Sequence, residues 1–163
     1  MSKEHRYAVS TAWTGNLGRG AADYRAYSRN HELGASGKAA TIACSSDPVF
    51  RGDASRYNPE ELLVGSLSAC HMLWVLHLCA DAGIVITDYA DEAEGVMREN
   101  DDGSGEFVRV TLRPDVVITD ASRIDQARAL HDKAHELCFI SRSVNFPVEH
   151  EPHITAVAQS AHP

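Results

Sequence analysis

The chain has 163 residues, with 15 basic against 23 acidic side chains for a formal net charge of −8, and four cysteines. That length suits one domain over residues 1–163, burying roughly two-thirds of its unfolded surface, so folding needs neither disulfides nor a structural metal. The acidic balance without any Lys/Arg block excludes the footprint of a nucleic-acid binder, while the polar start Met1-Ser-Lys-Glu-His-Arg6 and irregularly spaced cysteines argue for a reducing cytoplasm over a secreted disulfide framework.

Arg6 to Thr14 leads to a turn signal at Thr14–Gly20, and Ala22 to His31 alternates loosely, as a hairpin partner would. A turn at Gly34–Gly37 precedes a short apolar segment, Ala39 to Cys44. The loop Ser45–Tyr57 has no periodicity, and loops of that length inside a compact domain tend to be functional. A central helix then starts with Asn58 as N-cap, Pro59 at its first position and Glu61 placed to complete a capping box; Gly83 is its stop. Its apolar residues face every direction, which predicts a helix buried all round. Gly65, Ser66, Ser68, His71 and His77 within the apolar run favour a core helix over a membrane span.

Ile84 to Met97 is strand-like, and Asn100–Gly105 signals a hairpin. In the return strand Val108, Val110, Leu112, Val116 and Ile118 fall on one parity. Asp120 can cap a second helix, Ala121 to Leu137, with Ile124, Ala127, Leu130, Ala134 and Leu137 as its inner stripe. Pro147 to Val157 reads as a closing strand, and Gln159 to Pro163 as a loose tail. The order describes an α+β domain without internal repeats.

Cys70 and Cys138 stand in settings that suit working thiols. On a helical wheel Cys70 shares its face with Leu63, Ser66, Leu67, Leu73, Trp74 and His77, which places one sulfur in a mainly apolar wall. Cys138 closes the second helical pattern, and Cys44 and Cys79 read as small buried hydrophobes. Apolar burial raises a thiol's pKa, and Cys70 lies roughly 16 Å along its helix from Pro59, too far for the helix N-terminus to activate it. A cation must come from elsewhere. Arg51 and Arg56 in the preceding loop and Arg19, Arg25 and Arg29 in the first hairpin are the candidates; Arg51 is the first choice, ahead of Arg56 and Arg19.

Asn58-Pro-Glu-Glu-Leu-Leu63 followed by Ser68-Ala-Cys-His71, the phrase Tyr89-Ala-Asp-Glu-Ala-Glu-Gly95, and a second cysteine after a helix at Cys138 resemble the OsmC/Ohr superfamily of osmotically inducible and organic hydroperoxide resistance proteins. The likeness in element order covers nearly the whole chain. It implies an intertwined homodimer with antiparallel sheets around two long central helices. It also implies a thiol peroxidase acting on organic hydroperoxides without cofactor or metal, with Cys70 peroxidatic, Cys138 resolving, a glutamate matching Glu60 and an arginine that holds the thiolate. An external dithiol would restore the thiols. Better-known subgroups often carry proline after the second cysteine, whereas Cys138 precedes Phe139-Ile140. Glu60 and Cys70 are about 15 Å apart along one helix, so a shared site requires Glu60 from a partner chain across a two-fold axis.

Three other readings compete. His131, His135 and Cys138 at i, i+4 and i+7 align three potential zinc ligands, against which His131-Asp-Lys133 and His135-Glu136 read as a solvated face. An apolar-ligand-binding dimer with incidental thiols is a second, and a hydrolase pairing Cys70 with His77 a third, although about 10 Å of helix rise separates that pair.

Overall fold

A computed structural model describes residues 3–157; the tail Gln159–Pro163 lies outside the described residues. The chain divides into two compact units, Met1–Leu62 and Leu63–Pro163.

The first unit carries an antiparallel sheet of β1 (Ser10–Trp13), β2 (His31–Gly34) and β3 (Ile42–Cys44) in that order. Trp13 pairs with His31, and His31 in turn with Cys44. The second strand starts where Ala22–His31 was expected to be strand itself. Residues 21–30 instead form turns, because local contacts satisfy them: Asp23 accepts from the Arg25 N–H at 2.8 Å, and the Arg29 guanidinium lies 4.4 and 4.2 Å from the Tyr24 and Tyr27 ring centroids.

The helix α1 (Pro59–Asp81) begins as its sequence dictates. Asn58 Oδ1 accepts from the Glu61 N–H at 2.7 Å and Glu61 Oε2 from the Asn58 N–H at 3.0 Å, a reciprocal capping box. It ends in a Schellman motif: Gly83, at φ +72°, donates to the Ala80 carbonyl and Ile84 to that of Cys79. Burial departs from expectation. Only Leu67, His71, Val75 and Cys79, one residue per turn, are fully buried, and Leu73 is 61% exposed. Val64, Trp74 and Leu78 are half-buried against the cores, and a stripe of Gly65, Ala69, Leu73 and Ala80 is exposed.

Six further strands form two three-stranded sheets. One orders β4 (Ile86–Asp91), β7 (Pro114–Ile118) and β9 (His153–Ala156); the other orders β5 (Glu94–Glu99), β6 (Gly105–Leu112) and β8 (Val148–His150). Each of the three long strands expected from the sequence is therefore cut in two, and its halves serve different sheets. The cuts fall together, at 92–93, at Arg113 and at 151–152. Asp91 Oδ1 accepts from the Arg113 N–H at 2.7 Å and Leu112 O from the Glu151 N–H at 2.9 Å, while the Arg113 guanidinium reaches Glu94 at 3.1 Å and Glu151 at 3.5 Å. Pro114 and Pro152, which lack N–H donors, suit such a corner.

A 3-10 turn at Ala121–Arg123, capped by Asp120, leads into α2 (Ile124–Leu137). The buried positions of α2 are Ala127, His131 and Ala134, with Cys138 just beyond; Ile124 and Leu130 pack half-buried against the core as expected, and His131 joins them unexpectedly. Two cores result. Val75, Cys79, Ile84, Val116, Ile118, Ala127, Ala134 and Ile154 form one, and Leu67, Val110, Leu112 and Val148 the other.

Candidate active site

Cys70 sits in the middle of α1, half-buried, and opens on a cavity of about 290 Å³ lined otherwise by Leu73, Trp74, His77 and Phe139. Four of these residues share one face of α1, as the helical spacing predicts; Phe139 comes from the segment after α2. Trp74 meets Phe139 edge to face with ring centroids 5.8 Å apart. The wall is almost wholly apolar, so the cavity suits an organic group beside the sulfur.

Cys138 caps the C-terminus of α2 and is 1% exposed. Its thiol is held at about 11, first by burial and then by a hydrogen bond with the Cys70 thiol; the Ser141 and Ile140 backbone N–H groups oppose this, that of Ser141 donating to Cys138 Sγ at 3.4 Å. The fold thus brings together the two cysteines, 68 residues apart in the chain, as neighbouring free thiols. Cys44 and Cys79 are buried away in structural positions, and burial raises the Cys79 thiol.

The other candidates fall in the first unit. Glu60 occupies the first turn of α1, ten residues and about 15 Å of helix rise from Cys70, and does not meet it within the chain. Arg51 is exposed at φ 67°, a left-handed conformation closing the 3-10 turn Pro48–Phe50. Its guanidinium makes no ion pair among the described residues. Arg56 is already engaged by Glu32 at 3.0 Å and Asp53 at 3.8 Å, and Arg29 by the Tyr24 and Tyr27 carbonyls and rings. Arg51, Arg19 and Arg25 are the members of the named set whose guanidinium groups make no ion pair or hydrogen bond among the described residues.

Sequence reasoning missed a buried histidine cluster. His71 Nε2 and His131 Nδ1 are 3.0 Å apart, and both side chains are 1% exposed. His150, at the end of β8, lies 5.3 Å from His71 and 5.4 Å from His135 between ring centroids, and its Nε2 contacts Asp132 Oδ1 at 3.0 Å. Burial drives His71 down to about 3 and His131 to about 4, with the charges of neighbouring histidines adding to it. Burial also lowers His135. The expectation of a solvated face holds for exposed Asp132, Lys133 and Glu136 but is corrected for His131, which the 127, 131, 134, 138 spacing places in the core stripe. Among the described residues, no three His, Cys or carboxylate groups gather as a metal site. His77, the partner in the hydrolase reading, is turned toward Asp81 at 3.5 Å.

A family model described as OsmC-like protein matches residues 52–152. A Bacillus subtilis protein described as uncharacterized, YmaD, is 27% identical over 150 residues, 90% of this chain and 91% of that one. An OsmC-like protein of unknown function from Vibrio cholerae is similar in structure, with TM-score 0.83 and 30% identity over 92% of this chain and all of the other. An organic hydroperoxide resistance protein from Elizabethkingia anophelis shares the fold at TM-score 0.63 and 17% identity, covering 94% of this chain and 99% of its own. The mixed α+β architecture is the one found in those structures.

Proposed function

This chain belongs to the OsmC-like family, and on that premise we propose that it is a cytoplasmic thiol-dependent peroxidase that reduces organic hydroperoxides. The observation that carries this reading is the pair Cys70–Cys138, one thiol open to an apolar cavity and the other sealed directly against it. The Cys70 thiolate attacks the terminal peroxide oxygen; the O–O bond breaks, Cys70 becomes a sulfenic acid, and the departing alkoxide takes a proton to become the alcohol. The Cys138 sulfur then displaces hydroxide from that sulfenic acid, which leaves as water with the Cys138 proton, and a Cys70–Cys138 disulfide forms. An external dithiol returns both thiols by exchange.

The order of roles follows from access. Only the half-buried sulfur can meet a substrate of any size, whereas a thiol held at about 11 is a poor first nucleophile but a well-placed second one. Arg51 holds the Cys70 thiolate in this reading, and Glu60 acts on the site from the second subunit of a homodimer. The exposed stripe Gly65, Ala69, Leu73 and Ala80 of α1, with Leu73 61% exposed, supports that dimer.

Cumene hydroperoxide consumption with a dithiol, compared among wild type, Cys70→Ser and Cys138→Ser, tests the activity. Turnover that needs both cysteines is the expected result, with a Cys70–Cys138 disulfide visible by mass spectrometry after one equivalent of oxidant. Undiminished activity in Cys70→Ser would end the proposal. Ultracentrifugation at micromolar concentration tests the assembly, and a monomer there would remove Glu60 from the site.

A further inference from the structure

The buried imidazole pair has no part in the chemistry above, yet it joins the two helices that carry the thiols. His71 follows Cys70 on α1, and His131 precedes Cys138 by seven residues, two turns, on α2. We propose that His71 and His131 are positioning residues for the thiol pair: their hydrogen bond clamps α1 to α2 and holds Cys70 and Cys138 within disulfide reach, and acid releases it. The purpose of such a clamp rests on the peroxidase reading, but its existence does not.

The bond at 3.0 Å needs one ring nitrogen to donate and the other to accept, which two neutral imidazoles provide. When both rings are protonated, N–H faces N–H, and two like charges are buried side by side. The surrounding groups deepen the effect. His150 from β8 and His135 from α2 stand near the pair, and Arg128 adds positive charge from α2. Against these, Asp132 and Glu136 of α2 are exposed carboxylates, and Asp132 is already on His150 at 3.0 Å. The other nitrogens, His71 Nδ1 and His131 Nε2, have no partner among the described residues. A cluster so poor in compensation favours separation over protonation in place. The thiols are sensitive to that separation, because a disulfide tolerates Cα distances only up to about 7 Å. A helix shift of an ångström or two is enough to matter.

Equilibration with reduced and oxidised glutathione tests this, since each protein disulfide formed turns one oxidised glutathione into two reduced ones. The disulfide fraction gives the effective concentration of the Cys70–Cys138 pair. Between pH 7.5 and pH 3.5, with each point held until the ratio is constant, it should fall about fivefold or more in wild type. In the double variant His71→Leu/His131→Leu, whose apolar pair does not titrate, it should change less than about threefold. The same pH profile in both proteins would overturn the clamp. Should the double variant not fold, wild-type histidine resonances and amide exchange decide. The clamp requires His71 and His131 to stay neutral below pH 6 and their protonation to coincide with loss of protection at residues 130–138. Titration near the ordinary 6.5 with unchanged protection would overturn it. No hydroperoxide enters these measurements, so inactivity toward hydroperoxides beside a working clamp would remove the peroxidase reading alone.

Discussion

Two pairs of reactive side chains join α1 to α2, and their surroundings make them opposites. Cys70 and His71 are consecutive on α1, yet one borders an open apolar cavity while the other is 1% exposed and belongs to the i+4 stripe of Leu67, Val75 and Cys79. On α2, Cys138 and His131 are both sealed, but Cys138 has a reactive neighbour with access to the cavity and His131 does not. A one-residue step on a helix turns the side chain by about 100°, which here separates a thiol that borders the cavity from an imidazole sealed in the core. Accessibility and partner, more than intrinsic reactivity, assign the roles.

The largest effect that would break this contrast is at Cys70. Cys70→Ser is expected to lower kcat/KM for cumene hydroperoxide at least about 10³-fold, on the order of 4 kcal/mol of transition-state stabilisation. Cys138→Ser should consume about one equivalent and then stall as the sulfenic acid, seen by mass spectrometry.

The imidazole side of the contrast is read in stability. His131→Ala leaves His71 buried without its partner and opens a cavity, costing about 3 kcal/mol in urea unfolding at pH 7, whereas His71→Leu/His131→Leu stays within about 1 kcal/mol of wild type. If the alanine variant is no weaker than the double leucine variant, the pair has no special standing.

Acid sharpens the comparison further. The folded-state values of about 3 for His71 and about 4 for His131 lie below the ordinary 6.5, so the unfolded chain binds protons that the folded chain refuses. Stability is full above pH 6.5, falls as pH drops through that value at up to about 1.4 kcal/mol per unit for each ring, and levels off only below the folded values. Urea midpoints at pH 7, 6 and 5 check the slope, which should flatten in the double leucine variant.

The smallest effect concerns the cavity wall. Trp74→Ala or Phe139→Ala should reduce kcat/KM for cumene hydroperoxide about tenfold while leaving hydrogen peroxide within about twofold, because only the organic tail uses those rings. Equal losses on both substrates would mean that the rings position the sulfur instead of holding the tail.

Local chemistry was legible in the chain itself. Asn58 and Glu61 form the capping box that their spacing implies, Gly83 stops α1 through a left-handed turn, and Cys70 shares its cavity with Leu73, Trp74 and His77 as helical periodicity requires. The family resemblance likewise pointed to both cysteines. The strand breaks were not legible, because Val108 to Ile118 keeps one parity across the cut at Arg113, and the ties that make the corner run from Asp91, Glu94 and Glu151. A period-two pattern records which face is buried and says nothing about which sheet a strand joins.

Helix boundaries, an α+β order and two candidate thiols could be read from the chain alone, since caps, periodicity and neighbouring residue types act over a few positions. That Cys138 lies against Cys70, and that His131, 60 residues from His71 in the chain, is its buried partner, emerges with the folded packing. Those contacts depend on how α1 and α2 pack within one unit, and packing is settled by burial over the whole unit instead of by any local signal.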